Sequence, residues 1–331
     1  MADLARSVPF ARTWAPVVWA AAGALLAAAA LRALEPTALP GVTNFAIVFG
    51  SLLIEAIPFI LLGAVVSALL EVFLPARALE RLTSLPTALQ LPACGLAGFA
   101  FPVCECGSVP VARRLVAKGL APSSAVTFML AAPVVNPVVI ASTVVAYRGR
   151  AAFWPMVAGR TVLGLVVAIA VGWAVGHQNS GDLLRRRDGG DFADHTHDGR
   201  LRALFDHVSG DFLFMGRYLV IGAAFAATLQ TFVPQSVVAS LADAPVLNLV
   251  AMMGLAFVLS LCSESDAFVA ASFVQFGVAS QLAFLVFGPM VDTKLAVLYS
   301  GTFGRELLRT VVVVAAATTL AGTLWMEVAF G

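Results

Sequence analysis

Charge is what this chain has least of. Asp, Glu, Lys and Arg make up 12% of its residues, well below the roughly 25% of a soluble domain. That scarcity excludes an ordinary soluble fold. The 60% hydrophobic share falls in long apolar runs from end to end, the pattern of an all-α polytopic membrane protein. The few basic residues are scattered at helix ends, which argues against a nucleic-acid-binding face. No Gly-x-x-x-x-Gly-Lys-Ser/Thr run is present, so ATP hydrolysis would need a partner. Cysteine is scarce too. Cys94, Cys104, Cys106 and Cys262 all lie in apolar segments, whereas a disulfide framework would sit in exposed loops. They read as buried thiols or ligands.

Trp14–Leu34, preceded by Arg6 and Arg12, reads as a retained helix, because a signal peptide's apolar region is only ~7–15 residues. A second helix covers Asn44–Phe73. An apolar arm, Ala88–Val103, then meets Cys104-Glu105-Cys106-Gly107, and a second arm runs Ser108–Lys118. Proline and glycine there interrupt the helix. Ala121–Tyr147 is broken at Pro133-Val134-Val135-Asn136-Pro137, and Ala152–Val175 is a further helix. The long polar segment His177–Asp211 includes Arg185–Arg187. Its Asp191–Asp198 stretch, with His195 and His197, reads as a solvated linker rather than a metal trap.

After the linker the pattern restarts with Phe212–Val233, an arm Val246–Leu261, the break Cys262-Ser263-Glu264-Ser265-Asp266, an arm Ala267–Val278, then Gln281–Tyr299 and Leu307–Val328. Gly63 and Pro75 align with Gly222 and Pro234, Gly95-Leu96-Ala97 with Gly254-Leu255-Ala256, Cys104 with Cys262, and Gly119 with Gly277. Pro133–Asn136 aligns with Pro289–Asp292, Tyr147 with Tyr299, and Arg160-Thr161 with Arg309-Thr310. The expected organisation is an extra transmembrane helix in 1–43, a first repeat in 44–176, a cytoplasmic linker in 177–211 and a second repeat in 212–331. Repeats with interrupted helices are a recurring transporter plan.

The positive-inside rule chooses between two topologies. If the arms around Cys104 cross the membrane as one kinked helix, Arg113, Arg114, Lys118 and Arg185–Arg187 fall outside. If the arms form a re-entrant hairpin, these residues join Arg77, Arg81, Arg200, Arg202 and Arg305 in the cytoplasm. Only Arg32, Arg148 and Arg150 then lie outside. The hairpin is expected, and with it two inverted repeats whose breaks meet near the bilayer midplane.

Glu105, Glu264, Asp266 and Asp292 stand in apolar context. Four unpaired acids would cost on the order of 10 kcal/mol on insertion scales, so they face a cavity, bind a guest or pair with Arg113, Arg114 or Lys294. Cys104 and Cys106 would diverge on an intact helix but converge at an unwound break, where Cys262 could add a third thiol. Thiolates favour soft or borderline ions such as As(III), Cu(I) and Zn(II). The expected metal ligands are Cys104, Cys106, Cys262, Glu264 and Asp266, and Glu105, Asn136 and Asp292 complete the expected substrate site. Cys94 reads as packing. Glu55, beside Pro58, is a further cavity-lining candidate, although its repeat counterpart is Phe214.

The run Pro102-Val103-Cys104-Glu105-Cys106-Gly107-Ser108-Val109-Pro110, the Pro133–Pro137 break and Cys262-Ser263-Glu264-Ser265-Asp266-Ala267-Phe268 resemble the ArsP/YraQ-type predicted permeases, especially their YcgR-like subgroup. The resemblance covers nearly the whole chain after the first helix. It implies an inner-membrane permease of the arsenic-permease group, some of whose members export trivalent organoarsenicals through cysteine-containing sites. The subgroup further implies a smaller membrane-protein partner. The carboxylates depart from a purely thiol site and raise zinc or another divalent metal as the cargo. A secondary transporter without a resident cofactor is expected, not an enzyme. In it, lipid surrounds a site for a small ion or metalloid, and the carboxylates tune charge or carry coupling protons. A membrane thiol oxidoreductase is the rival, but such enzymes commonly use Cys-x-x-Cys pairs with accessible thiols. A non-transporting scaffold is a third reading.

Overall fold

The computed structural model describes residues 40–73, 82–101, 103–176, 200–232 and 245–330. The expected Trp14–Leu34 helix and most of the polar segment, with Arg185–Arg187 and the two histidines, lie outside the described residues. Among those described, the chain is helical and forms no sheet. In chain order the helices are α1 (Pro40–Phe73), α2 (Thr87–Leu96, continued by a 3₁₀ turn at Ala97–Phe99), α3 (Glu105–Ala117), α4 (Pro122–Val135), α5 (Pro137–Ala146) and α6 (Phe153–Gly176). Then come α7 (Arg200–Phe232), α8 (Pro245–Leu259), α9 (Asp266–Ser272), α10 (Val278–Phe287), α11 (Thr293–Thr302) and α12 (Arg305–Phe330). Five continuous or once-broken apolar stretches, Gly41–Leu70, Pro122–Ala146, Phe153–Gly176, His207–Thr231 and Arg305–Val328, are long enough to cross a membrane.

Proline sets several boundaries. Pro122 and Pro137 open α4 and α5 at positions where a missing N–H does no harm. Asn136 alone separates α4 from α5, and its side chain caps α5 by accepting from Val138 N at 2.9 Å. Asp292 does the same for α11, accepting from Leu295 N at 2.6 Å. The aligned pair Asn136 and Asp292 thus share one local role.

The two long helices α1 and α7 lie antiparallel. Asn44 reaches Thr231 near one end, and Ser67 donates to Asp211 at 2.9 Å near the other. α2 and α3 fold back as a hairpin against α4. On the way in, Gly95 lies against Thr127 and Ala131, and Gly98 against Ala132, so α2 runs parallel to α4. On the way out, Ser108 donates to the Met129 carbonyl at 2.9 Å, and Ala112 and Val116 share a small apolar cavity with Pro122 and Ala125. α3 therefore runs antiparallel to α4, and the hairpin leaves at the end it entered. Lys118 closes it there by donating to the Leu70 carbonyl at 2.9 Å.

α8 and α9 repeat this arrangement against α10. Ser280 donates to Asn248 at 3.1 Å and Gly288 lies against Ala256, a parallel pairing. α9 then returns, and the Phe273 carbonyl beyond its end accepts from Gln281 at 3.1 Å. Arg150, after α5, donates to the Ala271 carbonyl at 2.6 Å. This second hairpin therefore opens at the end opposite Arg114, which binds Asp211 at 2.8 Å.

Two helix starts and one ion pair differ notably from the sequence expectation. The helix after the first break starts at Glu105 rather than Ser108, because the Cys104 thiol caps it and accepts from Gly107 N at 3.4 Å. The helix expected from Phe212 begins at Arg200, so the last twelve residues of the expected linker are helical. Arg114 pairs with Asp211 and not with a break carboxylate.

Candidate functional site

The first turns of α3, α9 and α11 converge beside the long helices α1 and α7. Glu55, near the middle of the Gly41–Leu70 stretch, accepts from Ser265 at 3.1 Å. One backbone contact fixes α3 against α1, because a Cβ on Gly63 would overlap the Gly107 backbone. Another fixes α11 against α7, because a Cβ on Gly222 would sit 2.9 Å from Lys294 Cα. Glycine is required at both crossings, which explains why Gly63 and Gly222 align between the halves.

Glu105, at the start of α3, is 1% exposed. Its Oε2 accepts from Ser263 at 3.0 Å, and the same hydroxyl lies 3.4 Å from Glu264 Oε2. Ser263 thereby ties the first break to the second. Asp266 is held by Arg160, which donates through Nη2 at 2.8 Å. Arg160 also donates to the Ser263 carbonyl at 2.9 Å and to Thr143 on α5 at 2.9 Å. Lys294 Nζ stands 3.7 Å from Asp292 Oδ2 and 4.0 Å from Glu105 Oε1.

All four cysteines are free and buried. Cys262 directly precedes Ser263, whose hydroxyl donates to Glu105, the neighbour of Cys106. Cys106 sits on the first turn of α3, and Cys104 is engaged as that helix's cap. Among the described residues, no three His, Cys, Asp or Glu side chains are grouped tightly enough to hold a metal ion as they stand. The expected set Cys104, Cys106, Cys262, Glu264 and Asp266 is thus not a closed coordination shell in this conformation. Asn136 is committed to capping α5.

What converges is a polar cluster of five acids, Glu55, Glu105, Glu264, Asp266 and Asp292, with two bases, Arg160 and Lys294. Ionised acids in surplus inside a low-dielectric protein need protons or a cationic guest for balance. Sequence reasoning missed Arg160 and the two bridging serines. The signal for Arg160 was available, since it is the single charged residue within Phe153–Gly176. Its aligned residue Arg309 faces outward whereas Arg160 is 1% exposed, so the alignment did not mark Arg160 as buried.

Residues 42–327 match a family model described as a predicted permease. UPF0718 protein YcgR of Bacillus subtilis is 39% identical over 284 residues, covering 85% of this chain and 96% of that protein. A Streptococcus mutans protein named "Putative two-component membrane permease complex subunit" is 35% identical over 266 residues, covering 79% of this chain and 87% of that one. No solved structure matches.

Proposed function

The chain belongs to the ArsP_1 family of predicted permeases, and from that premise we propose that it moves a soft or borderline metal ion, or a trivalent metalloid species, through the thiol–carboxylate cluster at mid-depth. It is a multi-pass inner-membrane protein. The observation that carries the reading is the Ser263 bridge. Ser263 Oγ lies 3.0 Å from Glu105 and 3.4 Å from Glu264, so the two helix breaks share one polar centre. A carboxylate buried at that depth calls for a guest, a proton or a fixed partner.

Two inverted repeats account for this geometry. α1 and α7 are antiparallel, each half contributes one hairpin and one broken helix, and the hairpins open at opposite ends. Rocking one half against the other would expose the shared centre to each side in turn. The thiols of Cys106 and Cys262 favour soft ions, while the acid surplus favours a cation such as Zn(II) over a neutral arsenical. Gathering these donors into a coordination shell requires the halves to approach during transport. The words "two-component" and "subunit" in the name of the Streptococcus mutans relative support a second protein component as partner.

The test is elemental analysis of cells expressing the wild type, Cys104→Ser/Cys106→Ser, Cys262→Ser and Glu105→Gln. The reading expects altered zinc or arsenic content with the wild type and its loss in each variant. Identical content in all four strains for both elements would overturn it.

A further inference from the structure

Lys294 lies within ion-pair reach of two buried acids without closing a hydrogen bond to either. Lys294 is 2% exposed, and Glu105 and Asp292 are each 1% exposed. Lys294 Nζ, Glu105 Oε1 and Asp292 Oδ2 face one another, and none has a hydrogen-bond partner. An ammonium has three protons to donate, and charge-assisted N–H···O bonds close to about 2.7–2.9 Å. Here the separations are 3.7 and 4.0 Å. A lysine serving only to clamp the fold would be drawn onto one carboxylate. This one stands between two, one from each half of the chain.

The surroundings define how it can move. The Lys294 backbone is pinned against Gly222, so the side chain pivots from a fixed point. Asp292 is held by Leu295 N through Oδ1 and Glu105 by Ser263 through Oε2, while Oδ2 and Oε1 make no hydrogen bond and face Lys294. Each acid is thus oriented by one oxygen and presents the other to the same spot.

We propose that Lys294 is a built-in cation that occupies, in the guest-free protein, the position between Glu105 and Asp292 that a divalent metal ion takes during transport. The inference rests on the permease reading and narrows it, because the guest becomes a cation that competes with an ammonium. A dication displaces Lys294 by offering both acids twice the charge. When the guest leaves, the ammonium returns, so the carboxylates are not left uncompensated while the empty carrier resets.

The experiment is calorimetric titration of Zn²⁺ into the full-length protein in lipid nanodiscs, comparing wild type, Lys294→Met and Lys294→Arg. Removing a competing unit charge about 4 Å away in a partly screened interior should tighten Zn²⁺ binding at least about tenfold in Lys294→Met. Lys294→Arg keeps the charge and should show no gain. If Lys294→Met fails to fold, judged by its melting temperature, Lys294→Gln reads the same contrast with a polar side chain left between the acids. Zn²⁺ binding to wild type with no gain in the neutral variants would overturn this inference and leave the permease reading standing. Equal gain in Lys294→Arg and Lys294→Met would overturn it too. Absence of Zn²⁺ binding in every form would overturn this inference and leave the permease reading, which also admits a trivalent metalloid, to be decided by the cellular elemental analysis.

Discussion

Arg160 donates to Asp266 at 2.8 Å across 106 residues of sequence, with side chains only 1% and 4% exposed. The same guanidinium reaches Thr143 on α5 and the Ser263 carbonyl. One arginine therefore joins a continuous helix, a broken helix and the tip of the second hairpin. Breaking such a buried pair by removing one partner is far more damaging than removing both.

Arg160→Met should accordingly destabilise the protein by about 3–5 kcal/mol, because Asp266 is left buried and alone. The double variant Arg160→Met/Asp266→Asn should recover much of that loss. Thermal unfolding in detergent, followed by tryptophan fluorescence, checks both. A single variant as stable as wild type would contradict the geometry.

The α1–α3 crossing depends on Gly63. A methyl there would overlap the Gly107 backbone, so Gly63→Ala should cost about 1–3 kcal/mol through overpacking. Gly50→Ala on the same helix meets nothing within 4 Å and should instead stabilise by up to about 1 kcal/mol through helix propensity. Opposite signs for two Gly→Ala changes on one helix would be read directly from melting temperatures.

The hairpin can be mapped by single cysteines in a background without the native four. Ser84→Cys before α2 and Ala117→Cys at the end of α3 should react with a membrane-impermeant maleimide from the same side. Arg148→Cys and Val274→Cys, at the other end, should react only from the opposite side. Labelling of Ser84→Cys and Ala117→Cys from different sides would mean that α2 and α3 cross the membrane.

The native thiols are 2–3% exposed. In intact membranes they should resist an impermeant alkylating agent and react fully only after denaturation, as counted by intact-protein mass. Rapid labelling of Cys104 or Cys106 in the native protein would instead favour thiol exchange chemistry, which needs accessible sulfur.

The helical class and the membrane were legible in the residues themselves. Sparse charge and long apolar runs leave helices as the natural way to pair every backbone group inside hydrocarbon, and the breaks at Asn136, Asp292 and Cys104 follow from adjacent Pro, Gly and capping side chains. The acids of the site were legible as well, since Glu105, Glu264, Asp266 and Asp292 stand out against their apolar neighbours. What the tertiary structure alone decided was the partner of each charge. Arg160 was found by Asp266 and Lys294 was placed between two acids, while Arg114 went to Asp211. These choices depend on which helices cross at which depth, and that depends on close contacts such as Gly63 with Gly107 and Gly222 with Lys294. A local pattern states that a buried charge needs compensation, whereas only packing in three dimensions determines which distant side chain is near enough to supply it.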